Sequence, residues 1–205
     1  MLKATARIAK SLVEAGGSVV GFRGLTEEPA YSAEPLADGV EVRRYPSRIA
    51  AQTAVDADEV TARRIGFQRL AGYIFGKNHT VVEQSRRGSG EKIAMTAPVA
   101  QQADADGQWL IRFFMPADKT RESLPDPDDP AVSLVTVPPE TVAVKRFSGS
   151  TDPKAVAAKA TDLLRTLDGQ GMKAVGTPAA WFYDPPWTVP PLRRNEVWVA
   201  VEPRG

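Results

Sequence analysis

Residues 40–55 read VEVRRYPSRIAAQTAV and residues 132–147 read VSLVTVPPETVAVKRF, and these two stretches decide the fold. Both are rich in β-branched residues and alternate in polarity over much of their length, as strands with one buried face do. Proline lacks a backbone N–H and interrupts a ladder of hydrogen bonds. We therefore expect a hairpin or a bent pair of strands around Pro46, and a strand, a turn and a second strand around Pro138.

A first amphipathic helix is expected in residues 56–75. Asp56 or Asp58 is the candidate N-cap, and Gly76 ends the pattern. Apolar side chains recur at i, i+3, i+4 and i+7, which places them on one face of a helix. They are Phe67, Leu70, Ala71 and Ile74.

A second amphipathic helix is expected after the second stretch. It begins at Asp152, which is followed by Pro153 in the position that proline favours at a helix start. Gly169 or Gly171 ends it. Its apolar face consists of Val156, Ala160, Leu163, Leu164 and Leu167.

Three more stretches are candidate strands: KIAMTAPVA (92–100), WLIRFFMP (109–116) and EVWVAV (196–201). Residues 116–131 are too rich in proline and aspartate for a regular element, so we expect a long loop there.

The chain also carries a weak internal repeat. An offset of 92 residues lays residues 40–55 on 132–147 and the first helix on the second, and it superposes Thr96-Ala97-Pro98 on Thr188-Val189-Pro190. A slip of three residues then places Trp109 on Trp198. Neither helix can bury its apolar stripe alone. Unless the similarity is due to chance, we expect one antiparallel sheet or barrel carrying both helices, built from halves at about 38–116 and 130–202 that a pseudo-two-fold axis relates.

Composition excludes several classes of function. The 205 residues suit a single domain, and 26 basic against 25 acidic residues argue against a dedicated nucleic-acid or anionic-membrane binder. The chain has no cysteine and one histidine, His79. Thiolate chemistry, cysteine zinc sites and sites with two histidines from one chain are therefore excluded. No catalytic constellation is visible, so we do not expect an enzyme.

Residues 1–27 form a separate N-terminal arm. Ile8, Leu12 and Val13 predict a short amphipathic helix in it, but charged and polar residues interrupt its apolar positions. We therefore expect neither a signal peptide nor membrane insertion, and we place one domain at residues 28–205.

The stretches VEVRRYPSRIAA, GFQRLAGYIFGKN, KIAMTAPV, WLIRFFMP and RRNEVWVAV resemble the SOUL/haem-binding-protein family over about residues 28–202. The resemblance implies an α+β fold: a distorted antiparallel β-barrel of two similar halves flanked by two helices. It implies a cytoplasmic protein that binds haem b or another tetrapyrrole non-covalently, for sequestration, buffering or transfer to or from a partner protein. That fold is similar to multidrug-binding and gyrase-inhibitory effector domains, so a small-molecule binding module is the alternative, and a haem-modifying enzyme a further one.

The resemblance also implies which residues would hold the haem. It puts Phe67, Leu70, Ala71 and Ile74 on the porphyrin face and gives Arg64 a propionate, although a stripe of this kind can equally be core. Gly72 and Val189 stand where other members have basic residues. The arginines that could complete the clamp are Arg63, Arg69, Arg193 and Arg194.

The iron ligand is a separate question. Arg44 stands where one member of the family has a ligating histidine, and a guanidinium does not bind iron. His79 is the remaining imidazole and the candidate metal ligand, unless it is an exposed loop residue. Binding without a protein ligand is the other possibility. Weaker candidates are Tyr45, Tyr73, Met95 and Met115.

Overall fold

The computed structural model describes residues 26–80 and 90–203. The short helix predicted around Ile8 and Leu12 lies outside the described residues. Within them the fold is of the mixed α+β type, with two α-helices and a large antiparallel sheet. No helix in this part of the chain is both long and apolar enough to cross a membrane.

The helices are α1 (Glu59–Ile74) and α2 (Pro153–Gly169). The strands, in chain order, are β1 (Ser32–Pro35), β2 (Val40–Tyr45), β3 (Arg48–Val55), β4 (Asn78–His79), β5 (Val99–Ala103), β6 (Trp109–Phe114), β7 (Asp126–Pro127), β8 (Ser133–Val137), β9 (Glu140–Phe147), β10 (Met172–Phe182) and β11 (Asn195–Pro203). A 3-10 turn (Pro190–Leu192) precedes β11.

Both predicted helices are confirmed, and each begins at an aspartate. The Asp58 carboxylate accepts hydrogen bonds from the backbone N–H groups of Val60 at 3.1 Å and Thr61 at 3.0 Å. Asp152 accepts one from the N–H of Lys154 at 2.9 Å. These bonds satisfy donors that have no partner inside a helix, so the two caps fix where α1 and α2 start.

The main sheet joins nine of the described strands in the order β1-β2-β9-β11-β10-β5-β6-β3-β8. Every pairing within it is antiparallel, and β4 and β7 form a separate two-stranded ladder. The large antiparallel sheet is thus confirmed. In this order of hydrogen-bonded neighbours, β1 and β8 are the first and last strands.

The two stretches that decide the fold pair with each other. In the β2–β9 ladder Val40 lies opposite Lys145, and in the β3–β8 ladder Gln52 lies opposite Ser133. The register is the same on both sides of Pro46. Strands β2 and β3 thus form one long strand that bends at Pro46, and β8 and β9 form a second that bends at Pro138. The two long strands pair on both sides of their bends, where proline removes a ladder hydrogen bond.

The strand predicted over KIAMTAPVA is largely wrong. Regular structure starts only at Val99, and Thr96 makes an isolated bridge to Glu27. The physical reason is the end of α1: the N–H of Ile93 donates to the carbonyl of Ile74 at 2.9 Å, and the Ile93 side chain is buried. A tertiary contact with a helix end therefore takes the place of a ladder.

The sequence prediction missed β10. Its glycine and proline resemble turn signals, but the strand accommodates them at a shift of register between Val175 and Ala179. This strand also shows that the T-x-P match joins positions that are not equivalent. Residues 96–98 precede β5, whereas residues 188–190 follow β10.

The helices pack on one face of the sheet, α1 on β3 and β6, and α2 on β9, β10 and β11. The core under α1 includes Leu70, Tyr73, Ile74, Ile111 and Phe113. The core under α2 includes Ala143, Leu163, Leu167, Val197 and Val199. Side chains alternate along a strand, so Trp198 points to the other face, which we call the inner face. Its buried cluster includes Tyr45, Phe114, Trp181, Tyr183 and Trp198.

Gly66 brings α1 into direct contact with β6. A Cβ atom on Gly66 would lie 2.7 Å from the Cβ of Ile111, which is fully buried. Gly66→Ala should therefore lower the free energy of unfolding by about 1–3 kcal/mol, although alanine favours helix more than glycine does. Urea denaturation measures the change.

Gly72→Ala on the same helix is the matched control. Its Cβ would lie 3.2 Å from the Cδ of Lys77, a flexible side chain that can move. We expect unchanged stability or a gain of up to about 1 kcal/mol. Equal effects of the two substitutions would contradict the close packing of α1 on Ile111.

Candidate functional site

Helix α1 presents one buried and one exposed face. Its buried face consists of Ala62, Gly66, Leu70, Tyr73 and Ile74. Its outward face carries residues spaced i, i+4, i+7, i+11 and i+15, which lie on one side of a helix. Three of them are exposed apolar side chains, with exposed fractions of 49%, 38% and 59% at residues 60, 67 and 75. We call the set the α1 stripe: Val60, Arg64, Phe67, Ala71 and Phe75.

The structure divides the four predicted porphyrin contacts between these two faces. Phe67 and Ala71 belong to the α1 stripe, whereas Leu70 and Ile74 are 0% and 1% exposed against the sheet. Phe67 sits at the boundary, since its ring packs edge-on against that of Phe113 with centroids 5.4 Å apart. The spacing i, i+3, i+4, i+7 covers a wide arc of a helix, so sequence alone merged core and surface positions.

Arg64 lies on the α1 stripe, and its side chain makes no hydrogen bond or salt bridge to another described residue. The other candidate arginines are engaged. The Arg63 guanidinium lies 4.4 Å from the centre of the Phe182 ring, and burial lowers its pKa. Arg69 donates to Thr53 Oγ1 at 3.2 Å. Arg64 is therefore the cation most readily available to a ligand on this helix.

The loop between β10 and β11 adds exposed apolar surface. Trp187, Val189 and Leu192 are 64%, 47% and 46% exposed. Arg193 stiffens this loop by donating to two of its carbonyl oxygens, those of residues 186 and 188, at 2.6 and 2.8 Å. Arg193 is thus committed to the loop.

His79 lies in β4, and its Nδ1 is 2.6 Å from Asp128 Oδ1. This pairing joins residues 49 positions apart, so no local spacing could have revealed it. His79 follows the C-terminal end of α1, whereas Arg64 lies near its start. Between Arg64 and Ile74 alone the helix rises about 15 Å. The structure thus keeps the two predicted haem contacts, Arg64 and His79, at opposite ends of α1.

The weaker iron-ligand candidates are mostly inaccessible. Tyr73 is buried and donates to the Pro125 carbonyl at 3.0 Å. Burial raises the pKa of Tyr45 to about 12, so its phenol stays protonated. Met115 is buried, whereas Met95 is exposed. No group of three or more His, Asp or Glu side chains in residues 26–80 and 90–203 is arranged to hold a metal ion.

The inner face holds a charged cluster that the sequence reasoning did not identify. Glu196 is fully buried, and its carboxylate accepts four hydrogen bonds. Arg43 donates two at 2.7 and 2.9 Å, the Tyr183 hydroxyl one at 2.7 Å, and Arg194 Nε one at 2.9 Å. Arg194 also bonds Glu28 at 2.8 Å. The Glu196 carboxylate is saturated, since two oxygens offer about four acceptor positions.

These partners keep Glu196 charged. Burial by itself would raise the pKa of its carboxyl, but the hydrogen bonds from Arg43 and the charges of Arg43 and Arg194 hold that pKa below its usual value. Burial also raises the pKa of the Tyr183 phenol, which therefore remains a donor.

Neither of the two cavities described next includes a residue of the α1 stripe. One, of about 400 Å³, lies beside this cluster, and its lining includes Tyr31, Glu41, Arg43, Arg146, Arg194 and Glu196. The other, of about 210 Å³, lies on the flank of α1 and is lined by Gln68, Arg69, Gly72, Tyr73, Lys77 and Asp129.

Glu196→Gln should lower the free energy of unfolding at pH 7 by about 3–5 kcal/mol, because it leaves the buried Arg43 with only the partly exposed Glu41 as a counter-charge. The ionised Glu196 carboxyl stabilises the fold fully above the ordinary pKa of 4.5, and this contribution is lost as the pH falls through the lowered pKa of the folded state. The difference between wild type and variant should therefore shrink in acid. Urea denaturation at a series of pH values measures it.

Glu41→Gln is the control for this prediction. Glu41 also bonds Arg43, at 2.6 Å, but its side chain is 35% exposed. We expect a loss of less than about 1 kcal/mol. A loss as large as that of Glu196→Gln would show that burial of Glu196 is not what matters.

Solved structures share this fold. The C-terminal domain of EcmrR matches with a TM-score of 0.53 at 12% identity, covering 84% of this chain and 98% of that one. EcmrR in its cryo-EM complex with DNA matches with 0.54 at 10% identity, covering 98% and 71%. A hydrolase from Listeria innocua matches with 0.52 at 13% identity, covering 82% and 94%. At these identities the likeness is one of fold alone.

The sequence comparisons identify the family. A search of curated proteins found no match. The family described as SOUL heme-binding protein matches residues 26–200, which is most of the chain and includes both helices and the main sheet up to the last residues of β11. This chain belongs to the SOUL heme-binding protein family.

Proposed function

We propose that the protein binds haem b, or another tetrapyrrole, non-covalently on the α1 stripe. The observation that carries the proposal is the line of exposed apolar side chains on the α1 stripe, Val60, Phe67 and Phe75, with the partly buried Ala71 and the unengaged Arg64 among them. Exposed apolar surface that is continuous along a helix is unusual on a soluble domain and marks an interaction site.

The chemistry of the α1 stripe suits a porphyrin. Phe67 and Phe75 offer ring faces and edges to a flat apolar ligand, and covering such side chains is worth about 1.5–3 kcal/mol each when burial is complete. The Arg64 guanidinium can donate two parallel hydrogen bonds to a propionate carboxylate. Leu70 and Ile74 would act from below, by holding α1 on the sheet.

His79 is the residue we propose for the iron. Its Nδ1 is engaged by Asp128, and within residues 26–80 and 90–203 Nε2 has no hydrogen-bond partner, so Nε2 is the ring nitrogen we propose for the iron. A carboxylate on one nitrogen commonly orients a histidine that binds metal through the other. A bound haem would supply the redox and ligand chemistry of its iron, and His79 would tune it.

We also infer that the sheet closes into a distorted barrel of two halves related by a pseudo-two-fold axis. The continuous register of β2–β3 against β8–β9 supports closure. The order strand, strand, helix, strand, strand, which occurs once before residue 116 and once after it in the main sheet, supports the duplication. We propose that the protein sequesters or buffers haem, or transfers it between proteins, as the family usually does. We propose that it does so in the cytoplasm.

Titration of hemin into the purified protein, followed at the Soret band, tests the site. Phe67→Ser, Phe75→Ser and Arg64→Gln should each weaken binding about tenfold, because each removes about 1.4 kcal/mol of contact. Saturable binding that all three variants leave unchanged would overturn the placement on α1.

Two substitutions on α2 serve as matched controls for the hemin titration. Leu164 is 37% exposed, and the Arg165 side chain is 75% exposed. Leu164→Ser and Arg165→Gln should bind hemin like the wild type. Equal losses in these controls would mean that hemin adheres to exposed apolar surface in general.

His79→Ala should shift the Soret maximum of the complex and lower its affinity, since it removes the proposed iron ligand. Asp128→Asn should keep the position of the band but weaken binding about tenfold, as loss of an orienting partner does. An unchanged Soret position in His79→Ala would remove His79 from the site and leave the α1 stripe as a site without a protein ligand.

A further inference from the structure

The cavity of about 400 Å³ on the inner face lies away from the α1 stripe. It is lined by β2, β9, the start of β11 and Tyr31, whereas α1 covers the other face of the sheet. Its volume is within the range of about 300–1,000 Å³ that small-molecule sites occupy. Nothing in the proposed haem site uses it.

The carboxylates around this cavity are already bonded to arginines. Glu196 accepts four hydrogen bonds, from Arg43, Arg194 and Tyr183. Glu41 accepts from Arg43, and Glu28 from Arg194. A ligand cation would therefore find each of these acidic groups occupied.

Arg146 is the exception among the arginines that line the cavity. It lies directly opposite Glu196 in the β9–β11 ladder, so their side chains project from the same face. With Glu196 saturated, Arg146 makes no salt bridge to a described residue. Its guanidinium can offer a fork of donors to a planar anion.

The inner face nearby has further donors without acceptors. In the described part of the chain the buried side-chain atoms that lack a hydrogen-bond partner are Arg48 Nε, Trp181 Nε1 and Trp198 Nε1, and all three are N–H donors. Trp181 lies opposite Glu196 in the β10–β11 ladder, and Trp198 is two residues along β11 on the same face. These atoms show that free acceptors are scarce on the inner face, although none of the three residues lines the cavity.

Tyr31 gives the cavity an aromatic wall. Its ring is 38% exposed and lies 4.4 Å from the Arg43 guanidinium and 5.1 Å from the ring of Tyr45. A flat ring can pack against this surface while its charged end reaches a guanidinium.

We propose that this inner-face cavity is a second ligand site, which takes a small aromatic carboxylate and pairs it with Arg146. Arg43 and Arg194, held by their glutamates, form the rigid wall of the site. Tyr31 contacts the ring of the ligand.

The test is titration of the full-length protein with benzoate at constant ionic strength, followed by the backbone amide NMR signals of Val144, Arg146 and Glu196. We expect saturable shifts in the millimolar range, as for a fragment-sized ligand. Benzamide, which has the same shape without the charge, should bind at least about tenfold more weakly, and benzamidine, the cation, should not bind. Binding of benzamidine as tight as that of benzoate, or no saturable shift with benzoate up to about 20 mM, would overturn the proposal.

Arg146→Gln should weaken benzoate binding at least about tenfold, and Arg146→Lys should restore part of it, because the charge returns without the fork. Arg165→Gln removes the same charge from α2 on the opposite face of the sheet and should leave benzoate binding unchanged. Wild-type affinity in Arg146→Gln would rule out the pairing.

Hemin distinguishes this proposal from the haem site. Arg146→Gln should bind hemin like the wild type, and hemin and benzoate should not displace each other. Mutual displacement would mean that a single site takes both ligands, and the separate inner site would then be wrong. Benzoate binding that persists in a protein unable to bind hemin would leave the inner site standing alone.

Discussion

The buried Glu196 carboxylate is the interaction on which the inner face depends. It receives hydrogen bonds from Arg43 in β2, from Tyr183 just after β10 and from Arg194 just before β11. Four bonds to one carboxylate offset a large desolvation cost, which an unpaired buried charge could not. A single side chain thereby joins parts of the sheet that lie 153 residues apart in the chain. The same side chains, Arg43, Arg194 and Glu196, line the cavity beside this cluster.

Local pattern predicted the local elements. The alternation around Pro46 and Pro138 predicted β2, β3, β8 and β9, and two aspartates marked the helix starts, since a cap is a matter of a few adjacent residues. Local pattern failed where long-range contacts determine the structure. KIAMTAPVA has a strand-like composition, but Ile93 is drawn to the end of α1 instead. The pairing of the two bent strands with each other depends on register across the molecule, which composition does not encode.

The candidate site shows the same division. Periodicity predicted the helix, and the family resemblance pointed to Arg64 on it, but periodicity could not tell which edge of the apolar arc faces the sheet. Gly66 decides that, because only a residue without a side chain allows α1 to lie against Ile111. Leu70 and Ile74 then point inward, and Phe67 and Phe75 are left outside. The Glu196 cluster escaped notice because its members look like ordinary strand charges until the strands are assembled.

The shared register of the two bent strands has a consequence for how this chain can evolve. The breaks at residues 46–47 and 138–139 face each other, and the ladders on both sides of them keep one alignment. Inserting one residue into either break would turn every side chain of one arm to the other face, exchanging the aromatic interior with the surface under the helices. The lengths of the two breaks are therefore linked. Insertions and deletions should be inherited there in matched pairs.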